Sequence, residues 1–272
     1  MGGVDDNKSD LPYPFNQDLA AVLRCKLPNS RETAALIQAA IQLAERILGQ
    51  HPAGSVLRFI TLQAVIAEAN KNVHFGCMTT EAAHRYRWDS QREFYADLFR
   101  FAQWQSHFPG AHTDEIAEAT EEIIHGASPV RAIHQLCDWD IRRRLETPTL
   151  QLGLLAVAEA EGDPPIQAAI AEHHRENEAV WKLYCEQFLK ARHLKLRPGV
   201  TLDMCVTLLT ALADGLTARA ITDAGSIFDS QRGRSLLGTG ALALIASCAE
   251  PDGRTDSLSL EESAAAIMGG QS

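Results

Sequence analysis

Apolar residues recur at spacings of three and four along almost the whole chain, and no segment shows the strict alternation typical of a half-buried strand. In the segment NSRETAALIQAAIQLAERIL, for example, Leu36, Ala40, Leu43 and Ile47 fall on one helical face. Helices of this kind bury their apolar faces only by packing against one another. The sequence therefore predicts an all-α fold, and it contains no internal repeat.

Capping residues and prolines divide the chain into separate helices. Ser128-Pro129, Thr147-Pro148 and Asp163-Pro164 each place a capping residue before a proline that suits the first helical turn. Ser90 and Glu93 have the spacing of a capping box. A short helix over 18–27 and a last turn or two in LEESAAAIM are further candidates. The main predicted helices run from 29 or 30 to near 49, over 61–71, from 79 or 80 to 88, from 90 towards the turn at Pro109-Gly110, and over 114–125, 129–146, 148–161, 164–193, 202–224 and 229–249.

The composition is that of an ordinary globular protein, with 272 residues of which 46% are hydrophobic and 22% charged. Charges interrupt the apolar stretches before they reach the roughly 20 residues that span a bilayer. The first ten residues, MGGVDDNKSD, are acidic where a signal peptide is basic. We therefore expect a cytoplasmic protein that makes no membrane contact.

The six cysteines are scattered and form no C-x-x-C pair. In a cytoplasmic protein this pattern favours reduced, mostly buried thiols over disulfides or a structural zinc site. The pair His173-His174 is adjacent, so its side chains point about 100° apart on a helix and favour a solvated face. We expect neither a metal nor a cofactor.

The net charge of −10 is distributed unevenly. Residues 1–110 carry 11 acidic and 11 basic side chains, whereas residues 111–272 carry 24 of the 35 acidic and 14 of the 25 basic ones. A polyanion would thus be repelled by the C-terminal part and tolerated by the N-terminal part.

The segment TTEAAHRYRWDSQREF, which begins at residue 79, groups three arginines, two in a short predicted helix and the third at the start of the next helix. One interpretation is DNA recognition, in which side chains of the first turns face base edges and the following cations face phosphates or bases. The other is a solvated charged helix between two layers of a bundle. The candidate DNA-binding residues are Thr79, Thr80, Glu81, His84, Arg85, Tyr86, Arg87 and Arg92.

The order of the helices and several motifs resemble the TetR family of bacterial transcriptional regulators, from about residue 30 to 249. AAIQLAERILG (39–49) is similar to the opening helix of that family, and ITLQAVIAEA (60–69) to the first helix of its helix-turn-helix. RWDSQREFYADLF (87–99) resembles the end of the recognition helix and the start of the fourth helix. In the C-terminal part, DPPIQAAIAEHH and LRPGVTLDMCVTLLTALADGL resemble the ligand domain and a segment near the dimer face.

The resemblance implies an N-terminal three-helix helix-turn-helix domain over 29–90 and a helical ligand-binding and dimerisation domain over 91–250. Residues 1–28 and 251–272 would be extensions. It also implies a homodimer formed through the helices at 202–224 and 229–249, operator DNA as a partner, and a small apolar effector. The function implied is that of a ligand-responsive repressor rather than an enzyme.

The chain departs from the family pattern around the helix-turn-helix. The link between its second and third helices is longer, Arg85 stands where the family has a Tyr, and Gln91 stands where it has a Lys. The backbone-phosphate contact of the family would then be either missing or supplied by Arg92. These departures motivate an alternative function, a helical ligand-binding dimer of the same layout that has lost sequence-specific DNA binding.

The C-terminal part has enough aromatic and apolar side chains to line a pocket, with a few polar groups to orient a ligand. The alternative is that these side chains fill the core. No Ser-His-Asp order, glycine-rich phosphate loop or H-E-x-x-H motif nominates an active site. The candidate pocket residues are Trp104, Phe108, His134, Cys137, Trp139, Gln151, Leu155, Trp181, Tyr184 and Phe188.

Overall fold

A computed structural model of the chain describes residues 22–50, 60–71, 76–107, 113–146, 148–229 and 234–269. Most of these residues are helical, which confirms the all-α prediction. Within the described ranges the helices are α1 (Arg31–Gln50), α2 (Leu62–Ala69), α3 (Glu81–Arg87), α4 (Gln91–His107), α5 (Thr113–Ile124), α6 (Pro129–Glu146), α7 (Pro148–Glu159), α8 (Pro164–Ala191), α9 (Leu202–Thr222), α10 (Leu236–Cys248) and α11 (Leu260–Gly269). The strands there are β1 (Leu194–Leu196), β2 (Phe228–Asp229), β3 (Arg234–Ser235) and β4 (Ala249–Pro251).

Local capping chemistry sets many of the helix starts. The side chains of Thr61 and Thr80 accept hydrogen bonds from backbone N–H groups in the first turns of α2 and α3. Ser90 Oγ accepts from Glu93 N at 3.2 Å, and the Glu93 carboxylate accepts from Asp89 N at 2.8 Å. The predicted capping box is therefore confirmed for the bond from Glu93 N to Ser90 Oγ.

The strands were not expected, and each has only two or three residues. β1 pairs antiparallel with β4, and β2 pairs antiparallel with β3. The second pair explains why α10 begins at Leu236 instead of 229, because residues 228–229 and 234–235 are paired as strands. The helix predicted over 18–27 lies largely outside the described residues, and the described residues 23–27 are not helical.

The described chain divides into two compact units, and α8 contributes to both. Unit 1 contains the described residues up to 107 together with 148–173, and unit 2 contains 113–146 and 174–269. This division differs from the boundary predicted at residue 90. The reason is that Phe94 on α4 is fully buried in the same apolar core as Leu36 on α1.

The core of unit 1 is large and rich in aromatic side chains. It is built on α1, with α2, α4 and α7 packed around it. Its largest fully buried side chains are Phe94, Phe101, Leu36, Ile37, Ile41, Ile60, Leu98, Leu152 and Val65.

The core of unit 2 is smaller and contains two alanines. Its buried members are Ile141, Ala213, Ala220, Ile227 and Leu237. A polar contact supports it, because the guanidinium of Arg144 on α6 bonds the carboxylates of Asp140 at 2.8 Å and Asp214 on α9 at 2.7 Å.

Candidate nucleic-acid interface

The link between α2 and α3 is closed by one side chain. Asn70, which ends α2, accepts at Oδ1 from Thr79 N at 2.7 Å and from Thr79 Oγ1 at 3.0 Å, and its Nδ2 donates to Thr79 O at 3.0 Å. Thr79 immediately precedes the capping residue of α3, Thr80. The start of α3 is thereby fixed to the end of α2.

The other end of α3 is fixed to α1 by Arg87, whose side chain is buried. Its Nε donates to Ser30 Oγ at 3.1 Å and Thr33 Oγ1 at 3.0 Å, and its Nη2 bonds Glu32 Oε2 at 2.9 Å. A further bond runs from Nη1 to the Ala83 carbonyl at 2.6 Å. Because the guanidinium donors are directed inward, Arg87 orients α3 and does not face solvent.

The inner face of α3 also carries an aromatic cluster. The ring of His84 lies 5.0 Å from that of Trp88 and 4.9 Å from that of Phe94, measured between centroids. Burial, assisted by the nearby Arg87 and Arg85, lowers the pKa of His84 to about 4, so the ring is neutral at pH 7. Its Nε2 has no hydrogen-bond partner among the described residues.

Trp88 is in turn held by a buried carboxylate. Its Nε1 donates to Asp97 Oδ2 at 2.9 Å, and Asp97 Oδ1 accepts from Arg100 Nη1 at 2.8 Å. Arg100 also bonds Glu172 Oε2 on α8 at 3.0 Å. This network connects the end of α3 to α4 and α8 within unit 1.

The outer face of α3 presents a different set of side chains. Arg85 is 75% exposed in its side chain and forms an i,i+4 ion pair with Glu81. Tyr86 is 66% exposed. Asp89, just beyond the helix, forms an ion pair with Lys26. The exposed surface of α3 is therefore a mixture of one tyrosine, cations and carboxylates.

The structure thus separates the eight candidate DNA-binding residues into two groups. Thr79, His84 and Arg87 are buried, so these three side chains are removed from the set that could touch DNA. The reason is their role in fixing α3 to α1, α2 and α4. The exposed group comprises Thr80, Glu81, Arg85, Tyr86 and Arg92, of which Arg92 forms an ion pair with Asp163 at 3.3 Å.

A groove with a cavity volume of about 870 Å³ lies between α5 and α6 in unit 2. Arg192, just after α8, fixes one border, because its guanidinium donates to the carbonyls of Ile123 at 2.9 Å and Gly126 at 2.8 Å at the end of α5. The groove is lined by acidic, polar and apolar side chains, including Glu118, Glu121, Glu122, His125, Arg131, Leu136 and Trp139.

Of the candidate pocket residues whose side chains are described, only Trp139 lines this groove. Within unit 1, Trp104 stacks on Phe101 with 5.7 Å between ring centroids, and Gln151 lies on α7, half-buried. In unit 2, Cys137 packs against the core, and the rings of Trp181 and Tyr184 contact each other on α8. Phe188 is half-buried on the same helix.

His134 is buried where α6 meets α10. A Cβ at Gly238 would collide with the His134 side chain, so glycine is required for this close approach of the two helices. Phe108 lies outside the described residues, and Leu155 is described by its backbone alone. Among the described side chains, the candidate pocket residues therefore lie in several separate contacts.

Four polar residues that hold α3 in place were not among the residues predicted for the site. They bind other residues of unit 1 instead of contacting DNA, and they are Asn70, Ser30, Thr33 and Asp97. Their signal in the sequence is weak, because Asn, Ser and Thr near helix ends are read as caps. Ser30 does cap α1, through Thr33 N at 3.1 Å, and also binds Arg87.

The outer surface of α9 and α10 is apolar. Side chains exposed to solvent on α9 include Met204 (47%) and Leu208 (50%), and Leu236 at the start of α10 is 46% exposed. Small residues continue the same stripe at helical spacing, among them Ala211, Gly215, Ala218, Ala243 and Ala246. Exposed apolar surface of this kind is typical of an interaction site.

By length and composition, α9 is also the helix among those described that could cross a bilayer. Core helices of soluble proteins pass the same test. No group of three His, Cys, Asp or Glu side chains suited to a metal ion lies within the described part of the chain.

Comparison with known proteins yields no match to a family model, to a curated protein or to a solved structure.

Proposed function

We propose that the chain is a homodimeric, ligand-responsive regulator that binds operator DNA through α2 and α3 and represses transcription. The observation that carries the proposal is the way α3 is held. Its inner residues His84 and Arg87 are fixed in unit 1, whereas Arg85 and Tyr86 project outward from the same seven-residue helix.

A helix-turn-helix works only if the angle between its two helices is constant, because the second helix must enter the major groove. The three hydrogen bonds between Asn70 and Thr79 provide that constancy here. They bridge the link at its ends, so its extra length need not alter the direction of α3. This supports a working helix-turn-helix despite the longer link.

The outward residues have the chemistry that DNA recognition uses. Arg85 offers a planar fork of donors that fits the O6 and N7 atoms of guanine or a phosphate. Its ion pair with Glu81 is exposed, so exchanging that carboxylate for DNA costs little. Tyr86 and Thr80 add hydroxyl groups, and Arg92 adds a further exposed cation.

The apolar surface of α9 and α10 supports the dimer. In a two-fold dimer the same patch of each copy covers that of the other, and Met204, Leu208 and Leu236 would then leave water. A dimer also presents two copies of α3, which predicts a palindromic operator with half-sites about one DNA turn apart.

The groove between α5 and α6 supports the effector. Its volume suits a small molecule, and Trp139 and Leu136 give it apolar area among polar groups. An effector that binds one arrangement of the helices better than another would shift the population of DNA-binding dimers.

The experiment is a selection from random duplex DNA with the full chain at about 50 mM salt, followed by binding titrations of the enriched sequence at rising salt. We expect enrichment of a palindrome and affinity that falls steeply with salt. Arg85→Ala should weaken binding by about tenfold or more. Arg175→Ala, which removes an exposed arginine from α8, is the matched control and should bind like the parent.

A second candidate function is a ligand-binding dimer that does not bind DNA. The observation in its favour is the pair of carboxylates at Glu81 and Asp89, which lie on the outer side of α3 and would meet phosphates unfavourably. Under this alternative the selection enriches no sequence, and Arg85→Ala changes nothing measurable.

A further inference from the structure

Two cysteines of unit 2 are brought together by the register of α9 and α10. These helices pack against each other. They run antiparallel, because β1, which precedes α9, pairs with β4, which follows α10. Leu212 on α9 meets Gly240 on α10 so closely that a Cβ on the glycine would have no room.

From that contact, Cys205 lies seven residues back along α9 and Cys248 lies eight residues forward along α10. At about 1.5 Å per residue, the two positions are displaced along the pair by nearly the same distance, roughly 11 and 12 Å. Seven or eight residues are also about two helical turns, so both side chains return to the face on which Leu212 and Gly240 meet. The register therefore places the two thiols opposite each other.

The surroundings agree with this placement. The Cys248 carbonyl accepts from Arg197 N at 2.9 Å, which brings the end of α10 to the segment that leads into α9. Cys248, and Cys185 on α8, are both near enough to the Cys205 thiol to raise its pKa. All three thiols are free.

We propose that Cys205 and Cys248 are an oxidation site that forms a reversible intramolecular disulfide with a hydroperoxide. One sulfur attacks the peroxide oxygen, the O–O bond breaks, and a sulfenic acid and an alcohol (or water) result. The second sulfur then displaces the hydroxyl group of the sulfenic acid as water. In sum, two thiols and one hydroperoxide give one disulfide, one alcohol and one water, and a dithiol reverses the step.

The environment sets the rate of this reaction. Burial and the neighbouring thiols raise the pKa of Cys205 to about 12, so little thiolate, the reactive form, is present at pH 7. We expect slow oxidation that accelerates by about tenfold for each pH unit while the pH stays below that pKa.

The disulfide would join α9 and α10 at the start of α9 and the end of α10. The proposal is independent of DNA binding.

Tryptic peptides make the test direct, because the three cysteines fall on separate peptides, 183–190, 196–219 and 235–254. The full reduced chain is treated with hydrogen peroxide, its remaining thiols are alkylated, and the peptides are identified by mass spectrometry. We expect a linked pair of 196–219 with 235–254 that disappears on reduction. The pair should persist in Cys185→Ser and be absent from Cys205→Ser and Cys248→Ser.

Two results would overturn the proposal. One is that Cys205 and Cys248 are recovered as alkylated thiols after a peroxide treatment that links cysteines in the denatured chain. The other is that the folded chain links Cys185, or pairs cysteines as indiscriminately as the denatured chain does. A near-native circular dichroism spectrum of each serine variant ensures that a lost link is not due to unfolding.

Discussion

The two units bury apolar surface to different extents, and the difference shows where the protein leaves apolar side chains exposed. Among the described residues, the core of unit 1 has 23 buried members, whereas that of unit 2 has five. Unit 1 buries large rings such as Phe94 and Phe101. Unit 2 keeps Met204, Leu208 and Leu236 about half exposed on helices rich in alanine and glycine.

In unit 2 a small apolar core goes together with exposed apolar side chains. Alanine and glycine let helices approach closely but bury little area each, so a unit built from them gains less from its own interior. Leucine and methionine on the outside offer the remaining area to a second molecule. Unit 1 is therefore stabilised mainly by its own core, whereas unit 2 keeps apolar area that a second copy would cover in the proposed dimer.

The largest expected effect concerns the core of unit 1. Phe101→Ala removes a fully buried ring that stacks on Trp104 and should destabilise unit 1 by about 3–5 kcal/mol. Tyr184→Ala in unit 2, where the tyrosine is partly exposed, is the aromatic control and should cost less than about 1 kcal/mol. Urea unfolding measures both, and equal costs would contradict the contrast between the units.

The next effect distinguishes two arginines of α3. Arg87→Ala removes the buried guanidinium that binds Glu32 and the hydroxyls of Ser30 and Thr33, and it should cost about 3 kcal/mol. Arg85→Ala removes only an exposed ion pair and should cost less than about 0.5 kcal/mol. Thermal unfolding compares the two, and a stable Arg87→Ala variant would show that α3 does not depend on this contact.

Association through unit 2 can be tested at Leu208. Leu208→Asp places a charge in the apolar face and should weaken self-association by about 10- to 100-fold, since burial of one leucine contributes about 1.5–3 kcal/mol. Ile267→Asp on α11 is the control, because Ile267 is also exposed but lies on another helix. Analytical ultracentrifugation over a range of concentrations measures both, and a parent chain that stays monomeric would refute the dimer.

The smallest effect is a pH dependence that arises from His84. Its pKa of about 4 in the folded chain lies below the 6.5 of an exposed histidine, so the unfolded chain binds more protons between these values. The stability of unit 1 should therefore fall as the pH drops from 6.5 to 4 and should not depend on His84 above that window. His84→Phe should reduce this loss, whereas His125→Phe at an exposed position should leave it unchanged. Denaturant titrations at pH 4.5 and 7.5 make the comparison.

Local signals in the sequence predicted much of the helix layout. Thr61, Thr80, Ser90 and the prolines at helix starts act within one turn, so their effect is visible in a short stretch of sequence. The strands β1 and β4 were missed because their pairing joins positions more than 50 residues apart. A three-residue strand also has too few residues to show alternation.

The candidate site was harder to predict, because it depends on which way each side chain faces. Arg85 and Arg87 are two residues apart and so point to nearly opposite sides of α3. The sequence shows two arginines, and only the packing of α3 on α1 decides which one is buried. The aromatic residues chosen for a pocket are likewise spread over several helices, and Trp104, Trp181 and Tyr184 contact rings of their own helices.

The hydrogen bonds between Asn70 and Thr79 determine how freely the length of the link between α2 and α3 can vary. Because these bonds hold both ends of the link, residues added or removed between Asn70 and Thr79 change only the entropy of a closed loop. That change is about 0.6 kcal/mol for a doubling in length. Evolution could therefore lengthen this loop, or an experimenter could insert a tag there, without redirecting α3.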